Sequence, residues 1–234
     1  MTGDNRLAQL DVLVMAAGTG SRMGMAERKQ WLTLCGSPLF IYTLKKLIAF
    51  GADSLYVVVY PDDVARVEEA LRTAGLAHVH VVPGGETRQD SVRFGLTKTS
   101  REFVAVHDGA RPFLEKADFL RVVDLAMECG AATIGAPVRD TLKRVGADRR
   151  IEANVEREGL FAVYTPQVFR RDWLVEAHQQ ALADGFVGTD DTVLLERMGR
   201  AVQIATGSAW NIKITQQEDL KWIRVWEMGN CESD

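Results

Sequence analysis

Apolar runs of strand length alternate along the chain with segments in which apolar residues recur at helical spacing. The predicted strands cover 10–16, 54–60, 78–82, 103–107, 131–138, 160–164 and 202–205. The predicted helices cover 39–50, 62–74, 87–98, 116–129 and 172 to about 185, with one more from about 190 and a last one after a capping box at Thr215 and Glu218. Strands that alternate with helices are typical of a parallel sheet covered on both faces. The pattern therefore predicts an α/β domain of the doubly wound type.

Residues 139–156 interrupt this alternation. They are highly charged, with short β-like runs on either side of the turn signal at 146–148. This pattern predicts a β-hairpin that leaves the body of the domain. An isolated two-stranded hairpin is only marginally stable in water, so we expect it to pack against something, and a second subunit is the candidate. A plain surface hairpin is the alternative.

Composition restricts the class of protein. The chain has 234 residues, of which 47% are hydrophobic and 26% charged, as expected for one globular domain. Its net charge of -4 predicts no general attraction to nucleic acid or to acidic membranes. No apolar run approaches the roughly 18 residues of a membrane span, and the N-terminus shows no signal pattern, so we expect a cytoplasmic protein. Cys35, Cys129 and Cys231 lack any metal-type spacing and are predicted to be reduced thiols.

The first of three glycine-rich, charged loops directly follows the strand at 10–16 and reads MAAGTGSRMGMAERKQW. The glycine spacing G-x-G-x-x-x-G fits neither the dinucleotide fingerprint nor the P-loop. Its glycines let the backbone wrap closely around an anion, and Arg22 and Lys29 add positive charge. Two cations on one such loop suit a triphosphate, which needs several charged partners once it is partly desolvated.

The other two loops, 83–91 and 107–112, also follow strands, and ligands of such sheets bind beyond the carboxyl ends of the strands. In the second loop the glycine backbone could face a flat base, and Ser91 could hydrogen-bond the edge of that base. In the third, Asp108 stands where a carboxylate associated with Mg²⁺ would be useful, although a turn-capping role before a glycine is the alternative. Lys213 adds a cation between a strand and the last helix. His107 is expected to pack or hydrogen-bond beside Asp108 rather than act as a general base.

Seven segments occur in the order and spacing of the 2-C-methyl-D-erythritol 4-phosphate cytidylyltransferase family, which this chain resembles. They are AAGTGSRM…KQW, GGETRQDSV, VHDGARP, APVRDTLKR, GLFAVYTPQVF, TDD and NIKIT. The resemblance extends from about residue 12 to about residue 220 and implies a Rossmann-like, mostly parallel sheet of the nucleotide-diphospho-sugar transferase type. It implies a single nucleotidyltransferase domain over 1–234, with 139–156 as a protruding β-arm through which two subunits form a homodimer. It also implies a stand-alone enzyme.

The resemblance implies an activity as well. It is the transfer of CMP from CTP to the phosphate of 2-C-methyl-D-erythritol 4-phosphate, by direct in-line attack and with Mg²⁺ or another divalent cation. The residues that match catalytic positions of the family are Arg22, Lys29 and Lys213. Those that match CTP-binding positions are Ala16, Ala17, Gly18, Gly85, Glu86 and Ser91. Those that match acceptor-binding positions are Asp108, Arg111, Thr141, Arg157 and Thr165, and Asp108 also matches a position near the metal. Arg28 departs from the family, which commonly has proline before the lysine.

Three other functions are alternatives to this activity. A cytidylyltransferase for ribitol 5-phosphate would share the CTP loops, and Thr141 and Arg157 would carry the discrimination; the segment PVRDTLKR favours methylerythritol phosphate. A nicotinamide-dependent oxidoreductase is disfavoured by the glycine spacing. A nucleotide sensor without catalysis is disfavoured by the full set of cations.

Overall fold

The structure is a computed structural model that describes residues 6–18 and 29–230. The strands are β1 (Leu10–Ala16), β2 (Thr33–Leu34), β3 (Ser37–Pro38), β4 (Leu55–Val59), β5 (His80–Pro83), β6 (Phe103–Asp108), β7 (Ala131–Pro137), β8 (Leu142–Val145), β9 (Ile151–Val155), β10 (Phe161–Arg170) and β11 (Gln203–Thr206). The helices are α1 (Leu39–Ala49), α2 (Val64–Thr73), α3 (Arg88–Leu96), α4 (Lys116–Cys129), α5 (Arg171–Ala183), α6 (Thr192–Arg197) and α7 (Leu220–Asn230).

A seven-stranded sheet in the order β11-β7-β10-β6-β1-β4-β5 forms the centre of the fold. Strand β10 runs antiparallel to β6 and β7, and the other neighbouring strands pair in parallel. The predicted mostly parallel α/β sheet is therefore confirmed. The strand predicted at 160–164 was too short, because β10 continues to Arg170 after a register shift between Tyr164 and Gln167. That irregularity interrupts the alternation on which the sequence prediction depended.

The central strand β1 shows why helices cover both faces of the sheet. Its side chains alternate between the two faces, as in every strand. Val12 and Val14 join a buried cluster with α1, α2 and α4, whereas Leu13 joins a second cluster with α3, α5 and α6. All three side chains are fully buried. The apolar run read from the sequence is therefore apolar because each face of the strand packs against its own layer of helices.

The hairpin predicted within 139–156 is confirmed. Strand β8 pairs antiparallel with β9, and the turn is closed by a hydrogen bond from Gly146 N to Arg150 O of 2.9 Å. Most side chains of the two strands are exposed, including the apolar Val145 (52%) and Ile151 (66%). The hairpin therefore presents apolar surface that its own chain leaves uncovered. None of the described helices has the length and apolarity needed to cross a membrane.

The prediction of three reduced thiols was wrong for Cys35, which is disulfide-bonded, and is confirmed for Cys129, which is a free thiol. Cys231 lies outside the described residues. Helix α7 packs beside Cys35, and Glu227 Oε1 accepts a hydrogen bond from Cys35 N at 3.0 Å. The two segments lie almost 200 residues apart along the chain. Spacing along the sequence carries no signal for a contact that the packing of the last helix creates.

The capping box before the last helix lies one residue later than predicted. Asp219, and not Glu218, accepts from the backbone N–H groups of Thr215 (2.7 Å) and Gln216 (2.8 Å). Gln216 and Asp219 form the reciprocal box. Since both positions carry a carboxylate, the sequence alone does not decide which of them turns back toward the chain.

A buried carboxylate ties β1 to its neighbours, and its removal is a test of the fold. Asp11 accepts from Ser54 Oγ (2.6 Å), Ser100 N (2.7 Å) and Arg101 N (2.8 Å). We expect Asp11→Ala to lower the free energy of unfolding by about 2 kcal/mol, because two backbone donors lose their acceptor. Urea unfolding followed by circular dichroism measures this change. The control is Asp53→Ala, since Asp53 is mostly exposed and its pair with Arg101 contributes about 1 kcal/mol or less. Equal losses in the two variants would contradict the assignment.

Candidate functional site

The order in which the chain adds strands to the sheet reverses at β1. The three predicted loops follow strands at this point and lie at the same edge of the sheet. From β1 the chain proceeds outward through β4 and β5 and then returns to β6 on the other side of β1. Ligands of open α/β sheets bind beyond the carboxyl ends of the strands at such a switch point. The loops that begin at Ala16, Pro83 and His107 follow β1, β5 and β6 at this edge. The site predicted from the sequence therefore lies where the topology favours one.

Gly84 allows the loop after β5 to pack against the loop after β1. Its N–H donates to Val59 O at 2.7 Å. A Cβ atom added at Gly84 would lie 2.8 Å from Ser91 Oγ and 2.9 Å from Ala17 Cβ. Any other residue would force the two loops apart. The structure thus brings the predicted residues Ala17 and Ser91 together beside one glycine.

Ser91 fixes the path of the second loop. Its hydroxyl accepts from Gly85 N at 3.1 Å and donates to Thr87 O at 2.9 Å, and the side chain is buried. Thr87 and Asp90 form a capping box that starts α3. Glu86 and Gly18, two other predicted CTP-binding residues, are exposed at this edge. The loop is therefore held from within and leaves polar groups facing outward.

Asp108, at the end of β6, is surrounded by positive charge. Its Oδ2 lies 2.8 Å from Lys213 Nζ and 3.4 Å from Arg111 Nε, and its Oδ1 lies 3.6 Å from Arg88 Nε. Burial alone would raise the pKa of the Asp108 carboxyl, but the charges of Lys213, Arg88 and Arg111 outweigh burial and hold it well below its usual range. The group is an ionised carboxylate with more than one positive charge around it, an arrangement that attracts anions.

A chain of hydrogen bonds fixes the backbone of Asp108. Asp108 N donates to Thr165 Oγ1 at 2.9 Å, and the Thr165 hydroxyl lies 3.1 Å from His107 Nδ1. His107 Nε2 lies 3.2 Å from Arg111 O, an acceptor, so Nε2 carries the proton and Nδ1 accepts from Thr165. Burial lowers the pKa of His107 to about 4, and the ring is therefore neutral at pH 7. His107 serves as a hydrogen-bonding residue, as expected.

Lys213 reaches Asp108 because its neighbours are anchored. Ile214 N donates to Ala110 O at 2.9 Å, and the Ile214 side chain is fully buried in an apolar cluster. Asn211 O accepts from Arg111 Nη1 at 2.7 Å, and Asn211 Nδ2 donates to Thr165 O at 2.9 Å. The segment NIKIT therefore alternates inward and outward. The isoleucines pack into the core, and the lysine points to the carboxylate.

The predicted arm residues lie elsewhere in the chain. Thr141 and Arg157 are both exposed, and Arg157 Nη1 donates to Arg139 O within the arm. In the part of the chain that the structure describes, neither has a hydrogen bond to Asp108 or to its cations. Of the two predicted cations of the first loop, Arg22 lies outside the described residues. The backbone of Lys29 begins a short 3₁₀ helix.

The residues around Asp108 fit a magnesium ion that is shared with a ligand. No group of three or more His, Cys, Asp or Glu side chains able to hold a metal occurs among residues 6–18 and 29–230. Mg²⁺ commonly binds through one or two carboxylates together with substrate phosphates and water. Asp108 Oδ1 lies 3.6 Å from Arg88 Nε, too far for a direct hydrogen bond, so a hard cation bound there would share this oxygen with Arg88. The donor set suits a metal that arrives with phosphate.

Sequence reasoning missed the residues behind Asp108. Arg88 lies in the second glycine-rich loop and Asp191 in the segment TDD, but the sequence predicts no function for either residue. Arg88 Nη1 pairs with Asp191 Oδ2 at 2.7 Å, and His178 Nε2 lies 3.2 Å from Asp191 Oδ1. An arginine at the first turn of a helix after a glycine-rich loop was the available signal. Nothing in the sequence places His178 beside it.

Comparisons of the sequence and of the structure with known proteins all match the same family. A sequence model of the 2-C-methyl-D-erythritol 4-phosphate cytidylyltransferase family matches residues 10–225. The protein of that name from Aquifex aeolicus is 40% identical over 222 residues, which cover 95% of this chain and 98% of the relative. The one from Pelotomaculum thermopropionicum is 44% identical over 213 residues, or 89% and 90% of the two chains. The crystal structure of the one from Thermus thermophilus superposes with a TM-score of 0.79 at 31% identity, over 94% of this chain and 99% of that one.

The hydroxyl of Thr165 provides a test of the site's internal support. We expect Thr165→Val to lower the free energy of unfolding by about 2 kcal/mol, because the buried Asp108 N–H and His107 Nδ1 both lose their partner. Thr133→Val on β7 is the control: Thr133 is also buried, and its hydroxyl only donates to Tyr164 O at 3.2 Å. Chemical denaturation gives both values. A loss for Thr165→Val no larger than that of the control would contradict the hydrogen-bond chain.

Proposed function

The chain belongs to the 2-C-methyl-D-erythritol 4-phosphate cytidylyltransferase family, and on that premise we propose that it transfers CMP from CTP to the phosphate of 2-C-methyl-D-erythritol 4-phosphate. The products are 4-diphosphocytidyl-2-C-methyl-D-erythritol and pyrophosphate. The match to the family over residues 10–225 carries the proposal. The gathering of cations around Asp108 at the carboxyl edge of the sheet supports it, since both substrates are phosphate anions.

The reaction needs no strong base. An oxygen of the acceptor phosphate forms a bond to the α-phosphorus of CTP, and the bond from that phosphorus to the bridging oxygen of the β-phosphate breaks. The electron pair leaves with pyrophosphate. A phosphate monoester is already an anion at pH 7. The ring nitrogens of His107, the histidine beside Asp108, are both engaged in hydrogen bonds, which agrees with a mechanism that requires no proton abstraction.

The physical problem is the repulsion between the two anions and the charge that develops on the leaving group. Positively charged side chains that are already in place reduce this cost without reorganising. In our proposal Lys213 and Arg111 bind and orient the acceptor phosphate, with Thr165 beside them. Arg22 and Lys29, on the loop after β1, hold the triphosphate. In-line placement of the two substrates supplies much of the remaining acceleration.

A divalent cation, Mg²⁺, is proposed at Asp108. When bound, it supplies positive charge to the phosphate oxygens of the nucleotide. Asp108 Oδ1 is the atom of this chain that would hold it, because its charged neighbour Arg88 Nε is 3.6 Å away, too far for a direct hydrogen bond. The protein's own contribution is to keep Asp108 ionised and oriented, through its cations and through Thr165.

Cytosine is proposed to bind against the second loop. The residues assigned to CTP are Ala16, Ala17, Gly18, Gly85, Glu86 and Ser91. The close packing around Gly84 leaves little room between the first two loops, which suits a flat base better than a bulky group. The Ser91 hydroxyl accepts from Gly85 N and donates to Thr87 O, and these two bonds fix the loop against which the base would lie.

A homodimer is proposed through the β-arm, residues 139–156, with Thr141 and Arg157 reaching the acceptor in the partner's site. The exposed apolar residues Val145 and Ile151 support a partner for the arm, since its own chain leaves them uncovered. We propose a cytoplasmic location, where CTP is available.

Pyrophosphate release tests the function. Each of the four nucleoside triphosphates is assayed with methylerythritol phosphate or with ribitol 5-phosphate, with and without Mg²⁺. We expect release with CTP and methylerythritol phosphate in the presence of Mg²⁺, because the loops, the cations and the family match point to that pair. Release without preference for CTP, or only with ribitol 5-phosphate, would refute the proposal.

Mixing of two impaired variants tests whether the arm of one subunit contributes to the site of the other. Lys29→Ala is expected to lower turnover about a hundredfold, as does the loss of a charge-stabilising group in other enzymes. Arg157→Ala is expected mainly to weaken acceptor binding. Mixed dimers of the two should recover activity if each site combines Lys29 of one subunit with Arg157 of the other. Arg150→Ala, an exposed arm residue paired only with Asp148 in the described chain, is the control and should remain active. A lack of recovery on mixing would count against shared sites.

A further inference from the structure

We propose that Asp191 and Arg88 form a positioning pair that holds the carboxylate of Asp108 in the orientation needed for the acceptor. Arg88 and Asp191 then act through Asp108 and govern use of the acceptor phosphate rather than of CTP. The inference rests on the proposed function, because it assigns the pair to one of the two substrates of that reaction.

The two oxygens of the Asp108 carboxylate are contacted by different cations. Lys213 and Arg111 both approach Oδ2, at 2.8 and 3.4 Å, whereas Arg88 approaches Oδ1, at 3.6 Å. Two cations on one oxygen pull the carboxylate toward themselves. Arg88 is the opposing charge in the described chain. Its removal would leave the orientation of the carboxylate to Lys213 and Arg111, the residues assigned to the acceptor.

Arg88 is fixed by Asp191. Its Nη1 lies 2.7 Å from Asp191 Oδ2, a distance typical of a charge-assisted hydrogen bond. The side chain of Asp191 is 1% exposed, so this carboxylate has exchanged water for protein partners. Burial alone would lower the pKa of Arg88, but Asp191 and Asp108 outweigh burial and raise it. The guanidinium is therefore a permanent charge held between two carboxylates.

Asp191 is itself held by residues from two further elements. His178 of α5 lies with Nε2 3.2 Å from Asp191 Oδ1 and is equally buried. Gln167 of β10 accepts from Asp191 N with its Oε1 at 3.3 Å and donates to Asp190 Oδ2 with its Nε2 at 2.8 Å. The chain of contacts therefore begins in the core of the protein and ends at the carboxylate of Asp108.

The position of Arg88 explains the expected selectivity. Arg88 is the first residue of α3 and lies between Gly85 and Ser91, two residues assigned to CTP, yet its guanidinium points to Asp108 and Asp191. The fixed polar groups of the second loop are Gly85 N and the Ser91 hydroxyl, which bond to each other and not to Arg88. A change at Arg88 that keeps the helix intact therefore leaves the CTP loop in place and alters the acceptor side.

Three single variants and one double variant test the pair. We expect Arg88→Gln to raise the KM for methylerythritol phosphate about tenfold and to lower kcat, with the KM for CTP within about threefold of wild type. Arg88→Lys should restore part of the acceptor affinity, because it keeps the charge. Both Arg88→Gln and Asp191→Asn should lower the thermal midpoint, since each leaves a charge without its partner.

The double variant Arg88→Gln with Asp191→Asn separates positioning from folding. It leaves neither charge unpaired, so its thermal midpoint should recover toward wild type. Its KM for the acceptor should remain raised about tenfold, because Asp108 still lacks Arg88. Recovery of the acceptor KM together with the midpoint would overturn the inference and assign the pair to stability alone. Equal increases of both KM values would also overturn it.

Arg93→Gln is the matched control on the same helix. Arg93 pairs with Asp90 at 3.0 Å, and its variant should keep both KM values. Wild-type turnover is measured first. Absence of the cytidylyl product from the wild type refutes the proposed function and with it the inference. An active wild type whose Arg88→Gln variant behaves like Arg93→Gln refutes the inference alone.

Discussion

A buried carboxylate that must remain ionised is the constraint on which the site depends. Asp108 ends β6, and an unpaired charge at that depth would be very costly. Its three cations come from three places in the chain: Arg88 from the start of α3, Arg111 from the loop after β6, and Lys213 from the segment after β11. Because these three cations surround one charge, segments more than 100 residues apart meet at this edge of the sheet.

The same constraint explains the hydrogen bonds that hold the charged groups in place. The Thr165 hydroxyl accepts a hydrogen bond from Asp108 N and donates one to His107 Nδ1. Asn211 donates to Thr165 O and accepts from Arg111 Nη1. Apart from the guanidinium of Arg111, the groups in these contacts are backbone groups and uncharged side chains, so they add no negative charge that would compete with a substrate. They fix the positions of the charged groups before any ligand binds. Groups fixed in this way stabilise developing charge without the cost of reorganisation.

The sequence predicted those parts of the fold and site that have local signals. Alternating strands and helices located the sheet, and loops that follow strands located Asp108 and Ser91. Thr165 came only from family resemblance, because a threonine inside a strand with a register shift has no local signature. Arg88 and Asp191 were missed for another reason. Their partnership joins residues 103 positions apart, and polar residues near helix starts are common. The contact of Cys35 with α7 depends in the same way on the packing of a distant helix.

Charge balance distinguishes the roles of the three cations. In the proposed reaction, an acceptor phosphate that enters the site would compete with Asp108 for cations, since both are anions in a partly buried region. Lys213, on a flexible stem and about one-third exposed, can exchange one anion for the other at little cost. Arg88 cannot, because Asp191 holds its other face, and Asp191 is buried and fixed by His178 and Gln167. If the phosphate takes Lys213 and Arg111, as proposed, Arg88 is the cation of the three that stays with Asp108. The site therefore needs one cation free to move and one that is tethered, and the buried pair behind Asp108 provides the tether.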